Sequence, residues 1–258
     1  MGGNRECPPC HCVSKNSEPQ SEAARSRRAL IVGASRGLGL GLVARLLERG
    51  WQVTATVRRP SAALSELAGG EKAGCLRIVT QIDIDDDAAI AALRAGLSGE
   101  PAFHLVFVVA GVATQAGTPA GQMSREVAGQ VFQTNAISPI RVAESLHKRV
   151  AVGGVIAFMT SKLGSVSLNQ GGGWSSYRAS KAALNTLSRS FAGQHSKASW
   201  SVILMHPGWV RTDLGGRRAT LDVETSVRGM VAVLERCLDQ GVRGGCVFLD
   251  YQGQTVPW

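Results

Sequence analysis

The stretch RALIVGASRGLGLG, from Arg28 to Gly41, restricts this chain more than any other. A short apolar run, Ala29 to Val32, stops at Gly33, and a glycine-rich turn leads directly into the spacing Leu38, Leu42, Leu46. Apolar residues four apart mark a helix, so the unit reads strand, tight turn, helix. Gly33, Gly37 and Gly39 stand where the backbone turns sharply and where a side chain would hold a ligand away. A helix beginning there presents unpaired N–H groups and the positive end of its dipole, a seat for phosphate. The spacing Gly-x-x-x-Gly-x-Gly departs from the general Gly-x-Gly-x-x-Gly pattern, so the turn alone also fits a strand-to-helix connection without a ligand.

The rest of the chain bears on that choice. With 258 residues, 44% of them hydrophobic and 5% aromatic, there is enough material for one large core. Short apolar runs alternate with helical patterns and no linker interrupts them, which indicates a single α/β domain. No apolar run approaches the ~20 residues of a membrane-spanning helix, so a soluble protein without a membrane partner is expected. The formal charge of +9 suits an anionic partner. The basic residues are scattered without aromatic interleaving, however, which ranks nucleic acid well below a phosphorylated cofactor.

Residues 1–27 lack apolar periodicity and read as a disordered extension, with residues 28–258 forming the domain. No secretory segment is evident, and a cytoplasmic location is expected. Cys7-Pro-Pro-Cys10-His11-Cys12 offers thiolates and an imidazole, but not the two spaced ligand pairs of a closed zinc site, so no metal is expected. Cys75, Cys237 and Cys246 sit singly in or beside apolar segments, which is no disulfide framework.

A second strand, Trp51 to Val57, ends in Arg58-Arg59-Pro60. In a dinucleotide-binding unit that position faces the adenosine ribose, where a carboxylate would favour NAD and repel a 2′-phosphate. Here Arg58 and Arg59 occupy it, and Arg36 lies in the glycine turn, so NADP(H) is the preferred cofactor. The alternative for Arg58 and Arg59 is a pair of solvated loop charges. A third strand, Leu76 to Ile82, ends at Asp83, expected near the adenine, and Asp85 to Asp87 are expected to cap the next helix. Phe103 to Ala110 reads as a buried central strand ending at Ala110-Gly111, where small residues let a cofactor pass.

A helical pattern covers about Met123 to Arg149, with Asn135 in its middle and Pro139 four residues later. Both carry a cost inside a helix, so a kink with a local purpose is expected. Gly154 to Thr160 forms another strand, followed by Ser161. Beyond it, Tyr177 and Lys181 stand four apart on a helix and share a face. A tyrosine hydroxyl titrates near 10 and is a poor acid at neutral pH. A neighbouring ammonium, together with an oxidised nicotinamide, would lower that value.

Taken together, Gly33-x-x-x-Gly37-x-Gly39, Asp83, Ala110-Gly111, Asn135, Ser161, Tyr177-x-x-x-Lys181, Pro207-Gly208 and Thr212 resemble the short-chain dehydrogenase/reductase family, in its order and spacing. The resemblance covers residues 28–258. Trp174-Ser-Ser-Tyr177-Arg-Ala-Ser-Lys181-Ala-Ala-Leu-Asn185, His206-Pro-Gly-Trp-Val-Arg-Thr212 and the Pro257-Trp258 ending look like the C-factor and Sniffer-like carbonyl reductase branch. Val108-Val109 replaces the family's usual Asn-Asn before Ala-Gly, which removes amides that steady the central strand.

The resemblance implies a Rossmann-type doubly wound parallel sheet of about seven strands. It implies catalytic roles for Ser161, Tyr177, Lys181 and Asn135, with Ser165 the alternative to Ser161. Tyr177 would donate the proton, Ser161 would orient the carbonyl, Lys181 would bind the nicotinamide ribose, and Asn135 would hold a water leading to solvent. The cofactor would touch Gly33, Ser35, Arg36, Gly37, Leu38, Gly39, Arg58, Arg59, Asp83, Ile84, Ala110, Gly111, Tyr177, Lys181, Pro207, Gly208, Val210 and Thr212. Thr212 would bond the carboxamide or pyrophosphate.

Leu168, Trp174, Trp209 and Leu214 are candidates for the substrate pocket, and the short connection from Thr212 to about Val223 implies an open one. The helix after Tyr177 is apolar on more than one face, as in a homodimer or homotetramer. The expected activity is NADPH-dependent reduction of an aldehyde, ketone or quinone. The alternatives are a regulatory NAD(P)-binding protein and, on charge alone, a nucleic-acid binder.

Overall fold

The computed structural model describes residues 27–70, 73–241 and 244–258. The cysteine-rich segment Cys7 to Cys12 and most of the expected N-terminal extension lie outside them. Arg27 belongs to the folded part, where it pairs with Asp239 and lies over the Trp51 ring.

Seven strands form one sheet: β1 (Arg28–Val32), β2 (Gln52–Thr56), β3 (Leu76–Val79), β4 (Phe103–Val108), β5 (Val150–Met159), β6 (Ser201–His206) and β7 (Cys246–Asp250). All neighbours are parallel, in the order β3-β2-β1-β4-β5-β6-β7. The order reverses between β1 and β4, which opens a crevice beyond their C-terminal ends.

Side chains alternate along each strand, and both faces are buried. Ala29 and Ile31 of β1 belong to one apolar cluster, while Leu30 and Val32 belong to the other. The first cluster is covered by α1 (Gly37–Glu48) and α7 (Val223–Asp239). The second is covered by α3 (Asp87–Gly96), α5 (Ser138–Leu146) and α6 (Ser175–Gln194). Cys75 and Cys237 pack against the first cluster and Cys246 against the second.

The short helix α2 (Ala62–Gly69) is capped by Ser61, whose hydroxyl accepts from Leu64 N–H and donates to the Ser35 carbonyl at 2.8 Å. That bond ties α2 to the glycine turn.

Three sequence expectations need correction. The third strand stops at Val79, because Gln81 takes a left-handed φ of 61° and bends the chain away from the sheet. The helix expected over Met123 to Arg149 is split into α4 (Arg125–Phe132), a π-helical turn Gln133–Ile137, α5, and a 3-10 turn His147–Arg149. Pro139 has no N–H to donate to the carbonyl of Asn135 four residues earlier, so a regular α-helix cannot run through this point. Asp86 alone caps α3, accepting from Ala88 N–H at 2.8 Å. Asp85 turns instead to the π-helical region, accepting from Ser138 Oγ at 2.6 Å and from Thr134 Oγ1 at 2.5 Å.

Candidate active site

The turn after β1 is packed so closely that only glycine fits. Gly33 has φ +95°, and a Cβ there would come within 2.8 Å of Ala110 N. A Cβ on Gly39 would lie 2.1 Å from the Gly33 carbonyl oxygen. The start of α1 therefore lies directly on the turn, at the crevice between β1 and β4. Arg36, at its N-cap, makes no side-chain cap bond, and no acidic residue stands in the first turn. The positive end of α1 is thus not compensated by the chain itself, the condition for anion binding. Leu38 packs against the core from α1.

Thr212 sits over this turn, its methyl 3.5 Å from a Cβ built on Gly37. Its hydroxyl accepts from Gly215 N–H at 3.1 Å and donates to the Val210 carbonyl at 3.4 Å, closing its own turn. The same segment is held by Val210 bridging Leu221 and by Trp209 Nε1 donating to the Gly215 carbonyl at 2.8 Å. Pro207 accepts from Ser226 Oγ at 2.6 Å, and a Cβ on Gly208 would strike Leu221.

Two of the three arginines expected at the 2′-phosphate pair with carboxylates. Arg36 reaches across to Asp213 at 2.5 Å, and Arg58 lies 3.6 Å from Asp83. Exposed guanidinium groups settle on the nearest carboxylate, and such pairs are worth only about 0–1 kcal/mol. Arg59 is exposed and forms no ion pair among the described residues. Asp83 also accepts from Asp85 N–H, and Ile84 is buried beside it in the second apolar cluster.

Deeper in the crevice, buried polar groups form a connected set. Asn135 lies in the π-helical turn and bonds the Val112 backbone twice, accepting from its N–H and donating to its carbonyl, each at 2.8 Å. Its Nδ2 also donates to Ser180 Oγ at 3.0 Å, and Ser180 donates to the Tyr177 carbonyl at 2.8 Å. The side chain expected to hold a water is thus engaged in fixing the segment after β4 to α6. Val109 and Ala110 N–H groups donate to the Val32 carbonyl, so the central strand is steadied by backbone bonds without the amides that Val108-Val109 removes.

Lys181 is buried, and its Nζ donates to the Met159 carbonyl at 2.9 Å. A Cβ on Gly111 would lie 3.4 Å from Nζ and 3.2 Å from Asn135 Oδ1, so Gly111 is where all three meet. Burial pulls the Lys181 ammonium down to about 8. Tyr177, one turn earlier on the same face, has its ring centroid 5.9 Å from Nζ. Its hydroxyl is pushed up to about 12 by burial, opposite to the lowering expected from the lysine. In the protein alone, desolvation of the phenolate outweighs the attraction of an ammonium that is itself desolvated.

Ser161 follows β5 and caps the 3-10 turn Lys162–Gly164, accepting from Leu163 N–H at 3.1 Å. That turn lies on α6, since a Cβ on Gly164 would meet Lys181 backbone at 2.8 Å. Ser165 instead donates to the Trp258 carbonyl at 3.2 Å and lies by the end of the chain.

Sequence reasoning missed Ser180 and gave Asn185 no role. Asn185 accepts from Thr160 Oγ1 at 2.7 Å and donates to the Gly164 carbonyl at 3.2 Å, fixing both sides of Ser161. Its signal was present: Tyr177, Lys181 and Asn185 recur every four residues on one face. Trp174, with a left-handed φ of 51°, sets its ring edge-on to Tyr177 at 5.7 Å. Trp174, Trp209, Leu168 and Leu214 are all exposed.

Known proteins resemble this chain in sequence and fold. The family model described as short chain dehydrogenase matches residues 27–221. C-signal of Myxococcus xanthus is 41% identical over 131 residues, covering 50% of this chain and 77% of that protein. A short-chain dehydrogenase/reductase of Burkholderia multivorans with bound NADP superposes with a TM-score of 0.85 at 43% identity, covering 90% of this chain and 99% of that one. Carbonyl reductase Sniffer of D. melanogaster gives 0.80 at 29% identity, covering 90% and 100%. By the extent of these matches, the chain belongs to the short-chain dehydrogenase/reductase family, in its C-factor and Sniffer-like branch.

Proposed function

We propose that the chain is an NADPH-dependent reductase of aldehydes, ketones or quinones, with Tyr177 as the proton donor. The observation that carries this reading is the pairing of Tyr177 and Lys181, buried one turn apart on α6, with Lys181 against Gly111 at the β1–β4 crevice. The chain's residues fit the nucleotide. The uncompensated N-terminus of α1 suits the pyrophosphate, and Gly33 and Gly39 keep side chains out of its path. The end of β2 carries Arg58-Arg59 and no carboxylate, which favours a 2′-phosphate. Arg36 and Arg58 exchange weak, exposed carboxylate partners for that phosphate. The Burkholderia multivorans neighbour holds NADP, and Sniffer is a carbonyl reductase.

When bound, NADPH supplies the hydride for the carbonyl carbon. Tyr177, kept protonated by its burial, donates its phenolic proton to the carbonyl oxygen. Lys181, cationic at neutral pH and beside the ring, stabilises the phenolate left behind. Ser161 uses its lone pair on Leu163 N–H, so its own proton is available to orient the carbonyl oxygen. Asn135, Ser180 and Asn185 are positioning residues that fix this geometry through Val112, Tyr177 and Gly164. Trp174, exposed and edge-on to Tyr177, offers an apolar surface beside the proton donor that suits aromatic or aliphatic substrates.

The test is NADPH consumption over a panel of aldehydes, ketones and quinones, with NADH in parallel. Turnover with NADPH that disappears in Tyr177→Phe is expected. Binding of NADPH with no turnover on any carbonyl would favour the regulatory reading, for which the likeness to a protein named C-signal is the specific support.

A further inference from the structure

We propose that Glu144, His147 and His195 form a site for a divalent transition metal, with zinc as its occupant, at the end of the molecule opposite the nucleotide crevice. Glu144 and His147 are three residues apart at the end of α5, and neighbours at that spacing share a helix face. His195 closes α6. One donor atom from each of the three lies within 4.8 Å of the others. His195 Nε2 is already 3.2 Å from Glu144 Oε2, and the two imidazole rings lie 4.4 Å apart.

Zinc bonds of about 2.0–2.2 Å at tetrahedral angles place neighbouring donors roughly 3.4 Å apart. Glu144 and His195 already meet that spacing, so closing the site takes a shift of roughly 1 Å that brings His147 into line with them, by small rotations about the side-chain χ angles. Behind the rings, Phe191 and Trp200 stack at 5.4 Å, with His147 set edge-on to Trp200 at 6.1 Å. That wall holds the histidine rings and leaves one side open for a water as fourth ligand.

Two imidazoles and one carboxylate match zinc, whereas calcium and magnesium require oxygen donors. An exposed Glu144–His195 ion pair on its own contributes little, and leaves the second histidine unexplained. The site joins the ends of α5 and α6 just before the chain enters β5 and β6. Its role is to brace those entries, distant from Tyr177.

The measurement is calorimetric titration of the full-length chain with zinc chloride. It is repeated on a Cys7→Ser, Cys10→Ser, Cys12→Ser variant, which removes the competing thiols near the N-terminus. One zinc per chain is expected in that variant, with affinity at least tenfold lower after Glu144→Gln or His195→Ala. At a hundredfold excess of zinc over Kd, the melting temperature is expected to rise by roughly 5–10 °C, and not in those two variants. No binding once the thiols are removed would overturn the proposal, as would affinity unchanged by either substitution. Glu144 is exposed, so Glu144→Gln leaves the fold intact and the result readable.

Discussion

On the face of the sheet covered by α1 and α7, the contacts are almost wholly apolar. Helix α7 buries Val227, Met230, Val231, Val233 and Leu234, with Ser226 as its one buried polar residue. Helix α6, in the equivalent layer on the other face, buries Ser176, Tyr177, Ser180, Lys181, Asn185 and Ser188 alongside Leu184, Phe191 and Ala192. The architecture is the same, but the energetics differ. Apolar contacts tolerate small shifts, whereas a buried polar group costs about 1–3 kcal/mol if its partner is lost. The α6 face is consequently held in one arrangement by Asn135, Ser180 and Asn185, and that is where reactive side chains can be kept in place.

The division can be broken at its strongest point by Tyr177→Phe. It removes one hydroxyl from the α6 face, and kcat is expected to fall by roughly 10²–10⁴-fold. The melting temperature should hardly move, since burial already disfavours any charge on this group. A large stability loss would show that the hydroxyl serves the fold.

Met230→Ala tests the other face. Met230 is fully buried between α7 and the sheet, and the cavity left should cost about 2–5 kcal/mol in urea denaturation. The kcat/KM of the folded fraction is expected to be unchanged. If it falls instead, the apolar face also tunes the chemistry.

Lys181→Met joins the two tests. The Lys181 pKa lies at about 8 in the folded chain against 10.5 for the free side chain, so the folded state carries the full cost of burying a charge below pH 8. The cost declines as pH rises from 8 and is gone above 10.5, where both states are neutral. Lys181→Met should therefore stabilise the protein by roughly 2–3 kcal/mol at pH 7 while abolishing turnover. The gain should shrink in melts at successively higher pH. A variant less stable than the wild type at neutral pH would mean that the bond to the Met159 carbonyl outweighs desolvation.

The smallest expected effect is at the start of α7, where Asp222 accepts from Thr225 N–H at 2.7 Å. Asp222→Ala removes that cap and should lower stability by about 1 kcal/mol, with activity retained.

Much of this was legible in the residues. The strand–turn–helix unit at Gly33 follows from local steric rules, and the four-residue spacing of Tyr177 and Lys181 places them on one face wherever the helix docks. The cost of Pro139 inside a helix announced an irregularity, though not its π-helical form. Other features depend on partners far along the chain. Asp85 reads as a cap, and only the approach of the π-helical turn supplies Thr134 and Ser138. Arg36 reads as a phosphate ligand, yet Asp213, 177 residues away, is its partner here.

The periodicities, the glycine turn and the reactive side chains are set locally, because each depends on residues within one or two turns of one another. The ionisation of Tyr177 and Lys181, the bonds of Asn135 and Asn185, and the meeting of His147 with His195 come from packing. Burial and long-range contact arise only when distant segments are packed together, and they set both the cost of a charge and the partner that a polar group finds.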